Sequence, residues 1–333
     1  MTPNLIHYLA RVKNQIHIFK ALISLTVIIA FLSISVAHAQ HWLEEDEGYV
    51  SRRKGLEFGV NMGVYMANNN QITSSSIFYN GSGYYELGDN SATLYSIEER
   101  LNLGTTEAQV TNMLNTDGFQ IPYDAYGYMR YDPGMMFGLK AVRFWNPESA
   151  IVLSFDAASL KATGFYTMNL NGLPGQGQGM NNTKLYGVIG EERRMLTTLG
   201  FRTSMYITDR SSWIFELGGI ATGTQVVENY CLVETTPYDL LVTFNGPGQI
   251  SGPTSNLTNI GFGFYTTIGL EALFEEGGNL EANLRLSRDN VKLGSQEIDD
   301  FGVLGYQGIQ WNAAIYVTWM IPPHVGEYVR ASF

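Results

Sequence analysis

Eight charged side chains interrupt segments that are otherwise small or apolar: Glu57, Lys140, Asp156, Arg202, Glu216, Glu271, Glu281 and Arg285. Groups of this kind can hold an ion, relay protons or pair with one another. Catalysis by the common routes needs a further partner, a histidine or cysteine acting as base, nucleophile or metal ligand. The five histidines are His7, His17, His38, His41 and His324. Nothing between residues 42 and 323 therefore supplies an imidazole, so neither a Ser-His site nor a zinc site of His and Cys can be assembled there. The reading is a protein that is not an enzyme, with no catalytic residue and no cofactor. Cys231 is the only cysteine, which excludes an internal disulfide. It is expected in an exterior loop, either without consequence or as a link between chains. Glu297, Asp299 and Asp300 carry oxygen ligands suited to Ca²⁺, but adjacent acids in a loop read first as a solvated run, and no metal site is assigned.

The elements that must position the eight charges are marked by a period of two. From Trp311 to Ile321 every odd position is apolar, and Trp311 and Trp319 stand near the two ends. Successive strand residues face opposite sides. Eight residues at about 3.3 Å each, tilted by about 40°, rise roughly 20 Å, close to the height of a lipid-facing band with an aromatic belt at each interface. The same alternation recurs at about 55–67, 128–145, 150–167, 195–208, 212–227, 258–274 and 279–292. Pro133 marks an irregular end to the second of these. With the apolar faces turned outward, the eight charges point inward.

The connections alternate long and short. Asn146-Pro147-Glu148-Ser149, Asp209-Arg210-Ser211 and Glu275-Glu276-Gly277-Gly278 are tight turns, whereas 68–125, 169–194, 228–257 and 293–307 are long. Within 68–125, Ser96-Ile97-Glu98-Glu99 and Thr106-Glu107-Ala108-Gln109 match capping boxes, so short helices are expected between Ser96 and Leu114. Gly172 to Gly179 is rich in glycine but lies in no strand-turn-helix unit, and reads as a loop tip rather than a phosphate cradle. Trp145, Trp213, Phe274 and Trp319 all fall beside the tight turns or the C-terminal tail, forming one aromatic girdle, with Trp311 on the opposite rim.

Residues 1–39 read as a signal peptide. Arg11, Lys13 and Lys20 precede an uncharged run from Ala21 to Val36, and Ala37-His38-Ala39 is a small-x-small cleavage pattern. The run is shorter than the roughly 20 residues of a spanning helix. Past residue 39 the chain has 17 basic against 31 acidic residues, a net charge of −14, which disfavours nucleic acid as a partner. Residues 40–54 read as a periplasmic N-terminal segment and 322–333 as a periplasmic tail, with Pro322 and Pro323 ending the last strand.

Eight alternating segments with short turns on one side and long loops on the other resemble the small outer-membrane barrels of the OmpA/OmpX type. The resemblance covers about Gly55 to Ile321 and rests on architecture, without a shared motif. It implies an all-β fold, an eight-stranded antiparallel up-and-down transmembrane barrel in the cell outer membrane of a Gram-negative envelope. It also implies assembly through a C-terminal strand ending in an aromatic residue, a role open to Phe333 or to the Trp319 region. An interior of that size is filled by side chains, so the eight charges form either a structural polar plug or a proton or ion path. The expected function is non-enzymatic: the exterior loops bind a ligand or a partner in an envelope complex, with Phe78, Tyr79, Tyr84, Tyr85 and Tyr95 of the first loop as candidate contacts. The alternative is a narrow pore for small solutes or ions. Partners are outer-membrane lipid and another envelope protein.

Overall fold

The computed structural model describes residues 55–70, 74–86, 92–172, 182–208, 210–244, 250–251, 258–274, 278–294, 298–299, 302–303 and 305–321. The expected signal peptide, the lead-in, most of the glycine-rich tip, the acids Glu297 and Asp300, and the tail with Phe333 lie outside the described residues. Eight long strands make the frame: β1 Gly55–Met66, β2 Gly134–Asn146, β3 Ser149–Asn171, β4 Thr183–Thr208, β5 Ser211–Val233, β6 Thr258–Leu273, β7 Asn279–Leu293 and β8 Tyr306–Met320. Pro133 cannot donate to a ladder, and it separates β2 from a short strand, Arg130–Asp132.

The ladder closes. From Met62, one way round the ring passes Val317, Ala282, Leu270 and Trp213 to reach Met205 on β4. The other way passes Phe137 and Ala157 to reach Met195 on the same strand. All eight pairings are antiparallel, and the two arrivals are ten positions apart. That stagger is the shear that tilts strands in a closed barrel, by about 40° at this size. Closure leaves no bare sheet edge, the condition for β-structure to cross hydrocarbon.

Strand alternation sorts the side chains. Met62, Leu139, Phe155, Leu199, Leu217, Ile268, Leu284 and Val317 are exposed on the outside, so every strand contributes to one apolar band. The inside is polar and buried. An exterior of this composition on a closed barrel is that of a membrane-spanning one.

Three strands are longer than the bilayer needs. β3, β4 and β5 run for 23, 26 and 23 residues, against about 9–11 for a crossing. Their upper halves stay paired as far as Asn169↔Thr183 and Val188↔Cys231, standing above the band as a wall. Short strands extend it: Gly118–Gln120 and Arg130–Asp132 pair with β3, and Thr236–Asp239 pairs with β5. The sequence places 169–194 in a loop, whereas β3 continues to Asn171 and β4 starts at Thr183; in that part of β4 Tyr186 and Val188 face inward and Arg193 outward, the reverse of the membrane part. A bulge helps to hide it. Glu191 faces Glu228 while Glu192 faces Val226, so Val227 is one residue too many and the alternation changes phase there.

The first exterior segment folds onto this wall as a cap. It contains a 3-10 turn, Ser75–Tyr79, and two helices, α1 Ile97–Leu101 and α2 Thr106–Leu114. Ser96 and Glu99 form the expected capping box on α1. The second expected box is absent: α2 is preceded by Thr105, which makes no side-chain cap, and Asn115 ends it in the left-handed conformation. Phe78, Leu94, Ile97, Leu101, Val110 and Leu114 pack with Leu160, Tyr166, Met168, Val188, Cys231 and Val233 of the wall in one hydrophobic core.

Candidate functional site: the filled lumen and its cap

The interior is packed in layers. At the turn end Val142, Phe144, Ala150, Val152 and Met320 form an apolar floor. Above it Lys140 Nζ donates to Glu216 Oε1 at 2.7 Å and to Glu281 Oε2 at 2.8 Å. Arg202 donates to Glu281 and, at 3.0 Å, to Glu271 Oε1. The Ser212 hydroxyl donates to Glu271 Oε2 at 2.6 Å. Beside this group Asp156 accepts from Arg285 and from Asn61, each at 2.7 Å. The Arg285 guanidinium lies over the Tyr316 ring, 4.8 Å from its centre.

A second ionic layer closes the exterior end. Arg194 Nε donates to Glu192 Oε1 at 2.6 Å. The hydroxyls of Tyr79 and Tyr131 both donate to Glu192 Oε2 at 2.8 Å. Arg194 also donates to Ser75 at 3.1 Å and to the Tyr65 hydroxyl at 3.3 Å. Tyr79 and Ser75 belong to the cap, so the cap is bonded directly to the lumen. Between the layers Asp289 accepts from Asn312 at 2.7 Å and Thr222 at 2.6 Å.

Ten charged side chains are thus buried inside the described barrel: Lys140, Arg194, Arg202 and Arg285 against Asp156, Glu192, Glu216, Glu271, Glu281 and Asp289. Asp156, Glu192, Glu271, Glu281 and Asp289 are each met by two or more donors, and Glu216 by Lys140. Removing one partner from such a set leaves an uncompensated buried charge, at a cost of about 3–5 kcal/mol. No described group of three or more His, Cys, Asp or Glu side chains is arranged to hold a metal ion.

Of the residues singled out from the sequence, Lys140, Asp156, Arg202, Glu216, Glu271, Glu281 and Arg285 meet in the lower layers. Glu57 differs, sitting half-buried at the turn-side rim. Glu192, Arg194 and Asp289 were not singled out. The first two lie in 169–194, which the apolar alternation does not mark as strand, although Glu192, Arg194 and Leu196 continue the inward positions of β4. Two of the aromatic loop contacts are corrected. Phe78 and Tyr79 are 2% and 0% exposed, because both rings pack into the core between cap and wall. Tyr85 stacks on Phe78 with ring centres 4.6 Å apart, Tyr95 is half-buried, and Tyr84 is exposed. Cys231 is corrected likewise: it lies in β5, fully buried, because the bulge at Val227 turns it inward. Burial excludes a link between folded chains. On the outside Trp145, Trp213, Phe274, Trp311 and Trp319 are all exposed.

No family model and no curated protein matches the chain. Among solved structures it is similar to Ail, the attachment invasion locus protein of Yersinia pestis, with a TM-score of 0.30 and 11% identity over 80% of this chain and 98% of that one. It is also similar to the outer membrane protein OprG from Pseudomonas aeruginosa, with a TM-score of 0.32 and 10% identity over 80% and 96% of the two chains. A second structure of Ail, in complex with the heparin analogue sucrose octasulfate, matches with a TM-score of 0.29 and 10% identity. Values this low carry no function across, and the barrel stands on its own closed ladder of eight strands.

Proposed function

We propose that the protein is a non-enzymatic integral barrel of the outer membrane that conducts nothing and acts through what its exterior cap binds. The observation that carries this reading is the cap itself, folded on the β3–β4–β5 wall and bonded through Tyr79 to Glu192. A rigid scaffold presenting a packed segment is the usual form of a binding surface. Its chemistry points to a basic partner. Residues 68–125 contain seven acids, Glu86, Asp89, Glu98, Glu99, Glu107, Asp117 and Asp124, against the single base Arg100. The Arg100 Nε is itself committed to the Asp239 carbonyl at 2.7 Å. Such a field attracts a cationic face of a ligand or of a neighbouring envelope protein and repels polyanions.

Capture from gently solubilised membranes tests this, using the whole chain and a variant in which 71–124 is replaced by a short turn. The expected result is a partner retained by the first and lost by the second, with loss also at high salt. An unchanged set of partners overturns the reading. The alternative of a narrow pore requires sustained conductance in planar bilayers. A channel abolished by Glu271→Gln would put that reading in its place.

A further inference from the structure

The outward face of β7 changes character abruptly. Leu280, Ala282, Leu284 and Leu286 belong to the apolar band, and the next outward positions are Arg288, Asn290 and Lys292. Arg288 is paired in register with Phe264 on β6 and with Trp311 on β8. Those rings meet edge to face across it, 6.1 Å between centres. The guanidinium carbon lies 6.0 Å from the Phe264 ring centre and 5.8 Å from that of Trp311. Trp311 marks the exterior edge of the band, eight residues from Trp319 at the other edge, so Arg288 is held where hydrocarbon gives way to headgroups.

Among the described residues no acid answers its charge. The outward residues beside it are Ile260, Phe262 and Phe264 on β6 and Gln307, Ile309 and Trp311 on β8, with no acid among them. Among the described residues neither Arg288 nor Lys292 is joined to a carboxylate. Elsewhere on the barrel's outer face Lys161 and Lys184 have Glu191 and Glu234 as partners. Two cations on one face, about 13 Å apart along the strand, with exposed aromatics beneath them, are placed to meet an anion supplied from outside. The layer at that height is the headgroup region.

We infer that Arg288 and Lys292, framed by Phe264 and Trp311, form a docking site for the phosphates of a phosphorylated outer-leaflet glycolipid. This rests on the membrane reading above. Arg288 presents the planar fork that takes a phosphate through two bonds, with its guanidinium carbon beside both rings. Lys292 offers a point charge to a second phosphate farther out, so the spacing fits a disaccharide head phosphorylated at both ends. The acyl chains would continue down the face of Leu286, Leu284 and Leu280.

Native mass spectrometry of the folded full chain, offered bis-phosphorylated lipid A or the same lipid dephosphorylated, tests the site. The wild type is expected to retain the phosphorylated form about tenfold more, as for one strong charged contact, and Arg288→Gln with Lys292→Gln to abolish the preference. Excess inorganic phosphate should leave the lipid in place. Equal retention of the two lipids, a preference unchanged in the double variant, or displacement by inorganic phosphate each overturns the inference. Heat-modifiable migration of the same samples separates this from the membrane reading. A folded barrel without lipid preference overturns only the site, whereas failure to fold in any amphiphile overturns both.

Discussion

Glu192, an inward residue of β4, accepts the hydroxyl proton of Tyr79 at 2.8 Å across 113 positions of chain, and through that bond the exterior cap is fastened to the barrel's ionic interior. Tyr131 shares the same oxygen and Arg194 holds the other, so one carboxylate joins cap, lumen and wall.

Replacing that carboxylate should loosen the cap while leaving the barrel standing. In Glu192→Gln the tyrosines lose a charged acceptor and Arg194 its counter-ion. Hydrogen bonds to charged groups contribute about 1.5–3 kcal/mol, so the open cap should become about 10- to 100-fold more populated. Where cleavage follows the open population, trypsin should cut after Arg100 faster by that factor. An unchanged cleavage rate would show that the apolar core alone holds the cap.

A steric route should reach the same end. Gly190 lies on the wall under Tyr79, and a Cβ there would stand 2.4 Å from that ring. Gly190→Val should therefore displace Tyr79 and raise cleavage at Arg100 with Glu192 intact. If the variant resists trypsin as the wild type does, the ring is not seated as described.

In the lower layers the sensitive residue is Lys140, which answers both Glu216 and Glu281. Lys140→Met leaves Glu216 without its cation and Glu281 with Arg202 alone, and urea unfolding of the lipid-folded barrel should report a loss of about 3–5 kcal/mol. Replacing Arg285 and Asp156 together by Met and Leu should be milder than Arg285→Met alone, because no lone charge remains. A double variant as damaged as the single one would argue against pairing.

Cys231, in the part of β5 above the bilayer, has its thiol pushed from an ordinary 9.0 up to about 12 by burial. The fold thus favours the protonated thiol. Its contribution to stability is complete below pH 9 and drains away as pH rises from 9 towards 12. Maleimide should label native protein slowly at pH 8 and markedly faster once residues 71–124 are removed, and labelling of the whole chain should go on rising beyond pH 9, where an ordinary thiol levels off. Fast labelling of the intact chain at pH 8 would contradict the burial.

The membrane part was legible in the sequence because hydrocarbon outside and packed charge inside impose one clean rule, with Leu284 outward and Arg285 inward. The wall and cap obey another. Above the bilayer water lies outside and the cap inside, so Leu160 and Tyr166 are buried while Lys161 is exposed. In β4 the same reversal buries Tyr186 and Val188 and exposes Arg193, so by the membrane rule 169–194 looks like loop, and Glu192 and Arg194 vanish into it. Phe78 and Tyr79 were visible as aromatics, but nothing local distinguishes a ring that greets a partner from one that packs on a wall more than a hundred residues away. The extra residue at Val227 gives no compositional signal either.

That surplus residue has a consequence for how such a wall can change over generations. Pleated ladders exchange their two sides whenever a position is gained with no bulge to absorb it, so a regular β5 containing Val227 would have offered Asn229 and Cys231 to water and folded Tyr230 and Leu232 beneath the cap. Lengthening of β5 above this point is tolerable only by twos, or by a single insertion matched with a second slip nearby. Odd-numbered indels there should be purged while the connecting tips vary freely.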